Sequence, residues 1–237
     1  MEYKFAPNMN YEDLSSGRVI FHEKGFSNFP ARLASEIFMR CYELIGNSDE
    51  KVKIYDPCCG GGYLLTTLGF LHHEKIAEVY ASDVSPDAIQ LASKNLGLLT
   101  TEGLIQRKAQ LMQLYEAYGK ESHQEAILSV EKLAEKVEKD IESHVFIRDV
   151  LDEDYSGFQL PLFDIIITDV PYGDLVTWSS DDRDNMNLML KQLAENLKDT
   201  GVITVISNKK QKILTPCLNR VAKVQIGKRK VEIFKKV

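Results

Sequence analysis

Residues 56–66 read DPCCGGGYLLT, from Asp56 to Thr66. They follow directly on the β-rich run Val52–Asp56 (VKIYD) and lead into an apolar, helix-compatible segment from about Tyr63 to His73. A strand that ends in an acid and turns through glycines into a helix is the opening unit of a doubly wound sheet. Such a sheet binds its ligand at the carboxyl ends of its strands. Glycines there let backbone approach a ligand closely and take conformations that a Cβ forbids. Neighbouring Cys58 and Cys59 offer a rival reading, metal or redox chemistry. However, the four cysteines (Cys41, Cys58, Cys59, Cys217) contain no C-x-x-C pair, and no zinc-ligand spacing surrounds them. We therefore expect no metal, and small thiols that pack within the turn. The loop also lacks the Lys-Ser/Thr of a nucleoside triphosphate loop and the G-x-G-x-x-G of a dinucleotide loop.

Outward from this loop the strand–helix rhythm continues. EVYASDV (78–84) is a second strand, and Ser85-Pro86 opens a helix to about Leu98, with the hydroxyl as cap and proline in the first turn. HVFIRDV (144–150) is a third strand. LFDIIITDV (162–170) is almost continuously apolar, as a central parallel strand buried on both faces must be. A helix follows from about Asp182 to Leu197, then a strand VITVIS (202–207). VAKVQIGKRKVEIF (221–234) alternates on both sides of a Gly-Lys-Arg turn, the pattern of a hairpin. The predicted fold is α/β and doubly wound, a Rossmann-like sheet with an antiparallel C-terminal hairpin.

Two segments stand outside that rhythm, and we expect both to be appendages of one domain spanning 1–237. Residues 1–46 form an N-terminal extension with a helix in PARLASEIFMRCYELIG (30–46). Residues 101–143 read as an inserted helical hairpin broken at Gly119. Ile127, Val130, Ala134, Val137 and Ile141 step 3, 4, 3, 4; the pattern allows a pair of ordinary covering helices, and the long polar faces favour a protruding arm.

Composition narrows the function classes. The chain has 237 residues, 44% hydrophobic and 27% charged, ordinary for a soluble globular protein. No apolar run approaches the roughly 20 residues of a bilayer span, and the first residues carry neither a basic n-region nor an apolar core. We expect a cytoplasmic protein without a membrane partner. Net charge is −6, yet residues 207–237 hold ten Lys and Arg against Glu232 alone, a local +9 that leaves −15 on the remainder. Such asymmetry points to an anion-binding face. Lys228, Arg229 and Lys230, at the hairpin tip, are the expected phosphate contacts.

Three acids stand at successive strand ends. Asp56 adjoins the glycine loop, Asp83 is placed to accept ribose hydroxyls, and Asp149 could meet an adenine amino group. A fourth motif, DVPYG (169–173), follows the fourth strand. Asp169 and the Val170 carbonyl could accept N–H groups of a nucleobase. Tyr172 offers a stacking face, and Pro171 and Gly173 fix a sharp loop. Trp178 is a candidate second wall of the base pocket.

DPCCGGG, ASDVSP and DVPYG together resemble the class I S-adenosylmethionine-dependent methyltransferases that act on nucleic acid. The common loop of that superfamily is acid-x-G-x-G-x-G. Cys58 occupies its first glycine position, while Gly60 and Gly62 match. DVPYG departs from the usual Asn/Asp-Pro-Pro-Tyr/Phe in having Val170. DPCCGGGYLLTTLGFLH, ASDVSPDAIQLASKNLGLL and FPARLASEIF are similar, more narrowly, to the avilamycin-resistance ribosomal RNA methyltransferases. The resemblance implies S-adenosylmethionine held by Asp56, Cys58, Gly60, Gly62, Asp83 and Asp149. It also implies a base oriented by Asp169, Pro171 and Tyr172, and a guanosine of large-subunit ribosomal RNA as substrate. The residues by themselves leave DNA, another RNA or a small molecule open as acceptors. They disfavour a nucleotide-dependent oxidoreductase by glycine spacing, and a non-catalytic RNA-binding module by the intact acids.

Overall fold

The computed structural model describes residues 2–46, 50–152, 159–170, 182–213 and 215–237. Its centre is a seven-stranded sheet of β1 (Val52–Asp56), β2 (Ile76–Asp83), β3 (Glu142–Ile147), β4 (Phe163–Asp169), β5 (Leu197–Asn208), β6 (Leu218–Ile226) and β7 (Arg229–Lys236). They lie in the order β3-β2-β1-β4-β5-β7-β6. The first five are parallel, and β7 and β6 complete the sheet antiparallel. The chain runs outward from β1 to β3 and then returns to β4 on the other side of β1. That reversal opens a crevice at the carboxyl ends of β1 and β4.

Strand periodicity divides the core between the two faces. Ile54, Ile165, Ile167, Val202, Ile206, Val231 and Ile233 join one cluster with α1 (Ala31–Leu44), α2 (Tyr63–His72) and α3 (Pro86–Gly97). Tyr55, Ile166, Ile203, Val205 and Phe234 face the other cluster, where Met186, Met189, Leu190 and Leu193 of α6 (Asp182–Glu195) pack. The Ser85 hydroxyl caps α3 by accepting from Ala88 N, as its sequence predicts.

Four expectations are corrected in detail. β3 starts and ends earlier than 144–150, because it lies at the edge of the described sheet beside β2 and that pairing runs from Glu78↔Glu142 to Asp83↔Ile147. The helix expected to reach Leu197 stops at Glu195, since Leu197 already pairs with Phe163 and begins β5. The inserted hairpin, α4 (Thr101–Tyr118) and α5 (Glu121–Ala134), turns at Gly119 but does not stand away as an arm. Leu104, Leu111, Ala126, Val130 and Leu133 enter the main core, and Arg107 Nε donates to Val19 O at 2.9 Å. The buried seam of α5 is therefore Ala126, Ser129, Val130 and Leu133; Ala134 is exposed, and Val137 and Ile141 lie beyond the helix.

The N-terminal extension has little regular structure before α1, and is tied down by side chains instead. Glu36, fully buried in α1, accepts the backbone N–H groups of Lys4, Phe5 and Ala6 at 2.8–2.9 Å. Burial alone would raise its pKa, but these donors together with Arg40 lower it. Asn95, buried in α3, accepts Phe21 N and donates to both Phe21 O and Gly61 O. One amide thus joins the extension to the glycine loop.

Candidate active site at the strand carboxyl ends

The three glycines of the opening motif have separate causes. Gly60 sits at φ +50° and its missing Cβ would meet little, only Phe26 at 4.0 Å. Gly61 and Gly62 are demanded by α3: a Cβ on Gly61 would lie 2.6 Å from Leu91 Cδ2, and one on Gly62 would lie 3.0 Å from Ala92 Cα. The loop is therefore shaped as much by the helix beside it as by the space in front of it. Gly62 begins α2, and Thr66 N returns to Gly62 O at 3.0 Å.

In front of the loop is a cleft of about 530 Å³, lined by Asp56, Cys58, Gly60, Asp83, Asp149 and Asp169 from the strand ends and by Gly25–Ser27 and Phe29 from the extension. That volume lies within the roughly 300–1,000 Å³ of small-molecule sites. The four acids named from the sequence thus converge. Asp83 accepts Gly60 N at 2.9 Å through Oδ2 and Ser85 N at 3.0 Å through Oδ1. Each of its oxygens keeps capacity for one more donor, as two vicinal hydroxyls would require. Asp149, exposed at the end of β3, accepts Leu151 N at 2.9 Å beside apolar Val150 and Leu151.

Asp56 is buried, and its Oδ1 accepts Cys58 N at 3.1 Å. Desolvation pushes its pKa up to about 8 against the Cys58 N–H, and the nearby charges of Asp83 and Asp169 push the same way. A cation entering the cleft would reverse part of that shift. Burial and the carboxylates Asp56 and Asp83 also raise both thiols, Cys58 and Cys59, so neither is a thiolate. Their place is in the packed turn. His72, on the following helix, is buried against Phe38, hydrogen-bonded to Ser35 and shifted down to about 4 by burial. Among the described residues no group of three or more His, Cys, Asp or Glu could hold a metal ion.

Asp169, the last residue of β4, also lines the cleft. Burial raises its pKa to about 6, with Arg229 opposing. Pro171, Tyr172, Gly173 and Trp178 lie outside the described residues.

The expected phosphate trio separates. Lys228 is exposed at the hairpin turn. Arg229 lies beside the last acid of the cleft without lining it, its guanidinium 5.1 Å from the Phe29 ring centre and its Nε 3.9 Å from Asp169 Oδ2. Lys230 is buried, ion-paired with Glu232 and donating to Gln211 O, so it cannot reach RNA. Arg229 and Lys230 are successive residues of β7 and so face opposite sides of the sheet, while Lys228 belongs to the turn before it. Lys209, Lys210 and Lys212, which sequence reasoning left out of the site, are exposed after β5, and Lys209 N bonds to Lys228 O at 3.1 Å. Their lysine-rich spacing was the available signal. Phe26, Phe29 and Asn95 had none, because their roles depend on where the extension lies.

A family model described as the rRNA methyltransferase AviRa matches residues 1–229. The chain is 34% identical over 223 residues to the Streptomyces viridochromogenes 23S rRNA (guanine(2535)-N(1))-methyltransferase, covering 92% of this chain and 88% of that one. The structure of rRNA methyltransferase AviRa from Streptomyces viridochromogenes is similar to it at a TM-score of 0.88 and 32% identity, over 99% of this chain and 96% of that one. TrmN from Thermus thermophilus, 15% identical with a TM-score of 0.51 over 89% of this chain and 50% of that one, shares the fold.

Proposed function

Because this chain belongs to the AviRa family of rRNA methyltransferases, we propose that it uses S-adenosylmethionine to methylate N1 of a guanine in 23S ribosomal RNA. The observation that carries the reading is the meeting of Asp83, the glycine loop and Asp169 in one cleft. When bound, S-adenosylmethionine supplies an electrophilic methyl group on a sulfonium, whose C–S bond breaks as the new N–C bond forms.

The chain's residues do the rest. Asp83 accepts the two ribose hydroxyls, and Asp149 with Val150 and Leu151 flanks the adenine. Buried Asp56 and the loop face the cationic end. Asp169 accepts the guanine N1–H, orients that nitrogen toward the methyl group and takes the proton as the bond forms. Alignment at near-attack distance is the main demand of such a transfer. Tyr172, three residues beyond Asp169 in sequence, is the proposed stacking face for a base drawn out of its RNA stack. Exposed Lys209, Lys210, Lys212 and Lys228 hold the phosphate backbone.

The proposed setting is the cytoplasm and the large ribosomal subunit, with protection against avilamycin-type antibiotics as the biological consequence. Among the described residues no helix is long and apolar enough to cross a membrane. The test is mass-spectrometric mapping of 23S ribosomal RNA after incubation with the protein and labelled cofactor. Methyl groups on a small-molecule fraction or on DNA, with none on ribosomal guanine, would overturn the reading.

A further inference from the structure

Two buried polar atoms face the same junction. Asp169 Oδ1 and Arg229 Nε each have no hydrogen-bond partner among the described residues. Buried polar groups are nearly always paired, so two orphans together ask for a third party. Asp169 Oδ2 and Arg229 Nε are 3.9 Å apart, too long for a hydrogen bond and short enough for one planar group to touch both side chains. Asp169 lines the cofactor cleft, while Arg229 lines a second, shallower one shaped by the N-terminal extension. Phe29 and Tyr63 belong to both. The pair therefore stands where the two clefts meet, and the Phe29 ring carries the guanidinium from below.

The Watson–Crick edge of guanine presents an acceptor, O6, beside a donor, N1–H. A guanidinium beside a carboxylate presents the complementary donor and acceptor. Resting on the functional reading above, we propose that Arg229 binds O6 of the target guanine in the shallow cleft and makes the site specific for that base. Its second task is electrostatic. When Asp169 takes the N1 proton, the electron pair left on N1 is shared with O6. Arg229 neutralises the charge arriving there, while N1 uses that pair to bond the methyl carbon. The methyl–sulfur pair leaves with the sulfur, and Asp169 later returns its proton to water. Adenine offers an amino donor where O6 would be and no N1–H, so it would set donor against donor at Arg229 and leave Asp169 unpaired. A fixed donor aimed at developing charge is usually worth about 10²–10³ in rate.

The experiment measures kcat, KM for RNA and cofactor affinity for wild type, Arg229→Gln and Arg229→Lys across pH. Arg229→Gln should lose about 10²–10³ in kcat, with cofactor affinity unchanged, and its rate should keep climbing at alkaline pH where N1 loses its proton unaided. Arg229→Lys should recover part of the loss. If Arg229→Gln instead raises KM at unchanged kcat and flattens the salt dependence of RNA binding, the residue is a phosphate contact and the proposal falls. A second measurement needs no variant: wild type should methylate RNA carrying inosine at the target position, which keeps O6 and N1–H, within about tenfold of guanine. A loss beyond a hundredfold would move recognition to the 2-amino group and overturn the role of O6. A wild type that modifies no guanine overturns the functional reading itself. One that methylates guanine N1 while Arg229→Gln keeps full kcat overturns only this inference.

Discussion

The backbone N–H of Gly60 donates to the Asp83 carboxylate at 2.9 Å, so the loop after β1 and the end of β2 are one hydrogen-bonded unit. The acid proposed to hold the cofactor ribose therefore also sets the conformation of the glycine loop. Asp83→Ala should remove two charge-assisted bonds to ribose, each worth about 1.5–3 kcal/mol, and loosen Gly60. Calorimetry of a folded Asp83→Ala protein should find S-adenosylmethionine affinity down by more than tenfold. Unchanged affinity would refute the assignment.

Asp56 carries a stability cost tied to its site. Between the ordinary carboxyl value near 3.8 and its own value of about 8, the folded protein holds a proton that the unfolded chain has released. Stability should therefore fall as pH rises through that window and level off above it. Asp56→Asn keeps an acceptor for Cys58 N and removes the titration. Urea unfolding without cofactor should show the variant gaining on wild type steadily from pH 4 to pH 8, and binding the cationic cofactor more weakly.

Asp169 should give the reaction its acid limb. Burial places its pKa at about 6, against the opposing charge of Arg229 on β7, while Asp56 at the end of β1 is its acidic neighbour. Below that pH the protonated carboxyl cannot take the N1 proton, so kcat should rise with pH through about 6. Asp169→Asn should abolish that limb and cost at least about 10² in kcat, the lower end of general base contributions. Cofactor affinity should barely change. A wild-type rate flat from pH 5 to pH 8 would exclude Asp169 as the base.

The lysines of the C-terminal segment should behave differently from one another. Replacing Lys209, Lys210 and Lys228 together by Gln should weaken RNA binding at low salt. The slope of log affinity against log salt should flatten by about 2, at roughly 0.7 per phosphate contact on single strands. Lys230→Gln should leave that slope alone and instead lower the unfolding midpoint, because it removes the cation at buried Glu232 Oε2 and leaves that carboxylate only Arg220, on its other oxygen, as an ion-pair partner. Equal slopes for wild type and the triple variant would mean these lysines do not touch RNA.

Much of this molecule is written in short-range pattern. The β-branched run VITVIS, the apolar run of FDIIITD, the Ser85-Pro86 helix start and the Gly227-Lys228 turn each declare an element from a few residues. Strand-end acids beside a glycine loop declare the site for the same reason: the chain itself delivers Asp56, Asp83, Asp149 and Asp169 to one edge of a parallel sheet. Errors came where an element's length depends on its neighbour, as at β3 and the start of β5, or where a polar helix face is covered by an extension with no periodicity of its own.

Only the tertiary structure decided what stands beside Asp169. Asp169 pairs with Ile206 across β4 and β5, and Asn208 pairs with Arg229 across β5 and β7. Those two registers bring together residues 60 positions apart in sequence. The same register sends Arg229 to the face of Phe29 and Lys230, one residue later, into the opposite side of the sheet. A shift of one residue in β7 would exchange them. Local sequence determines which residues can form a strand and which face alternates with which. It does not determine the register between strands far apart in the chain, because register is chosen by how the whole buried face fits.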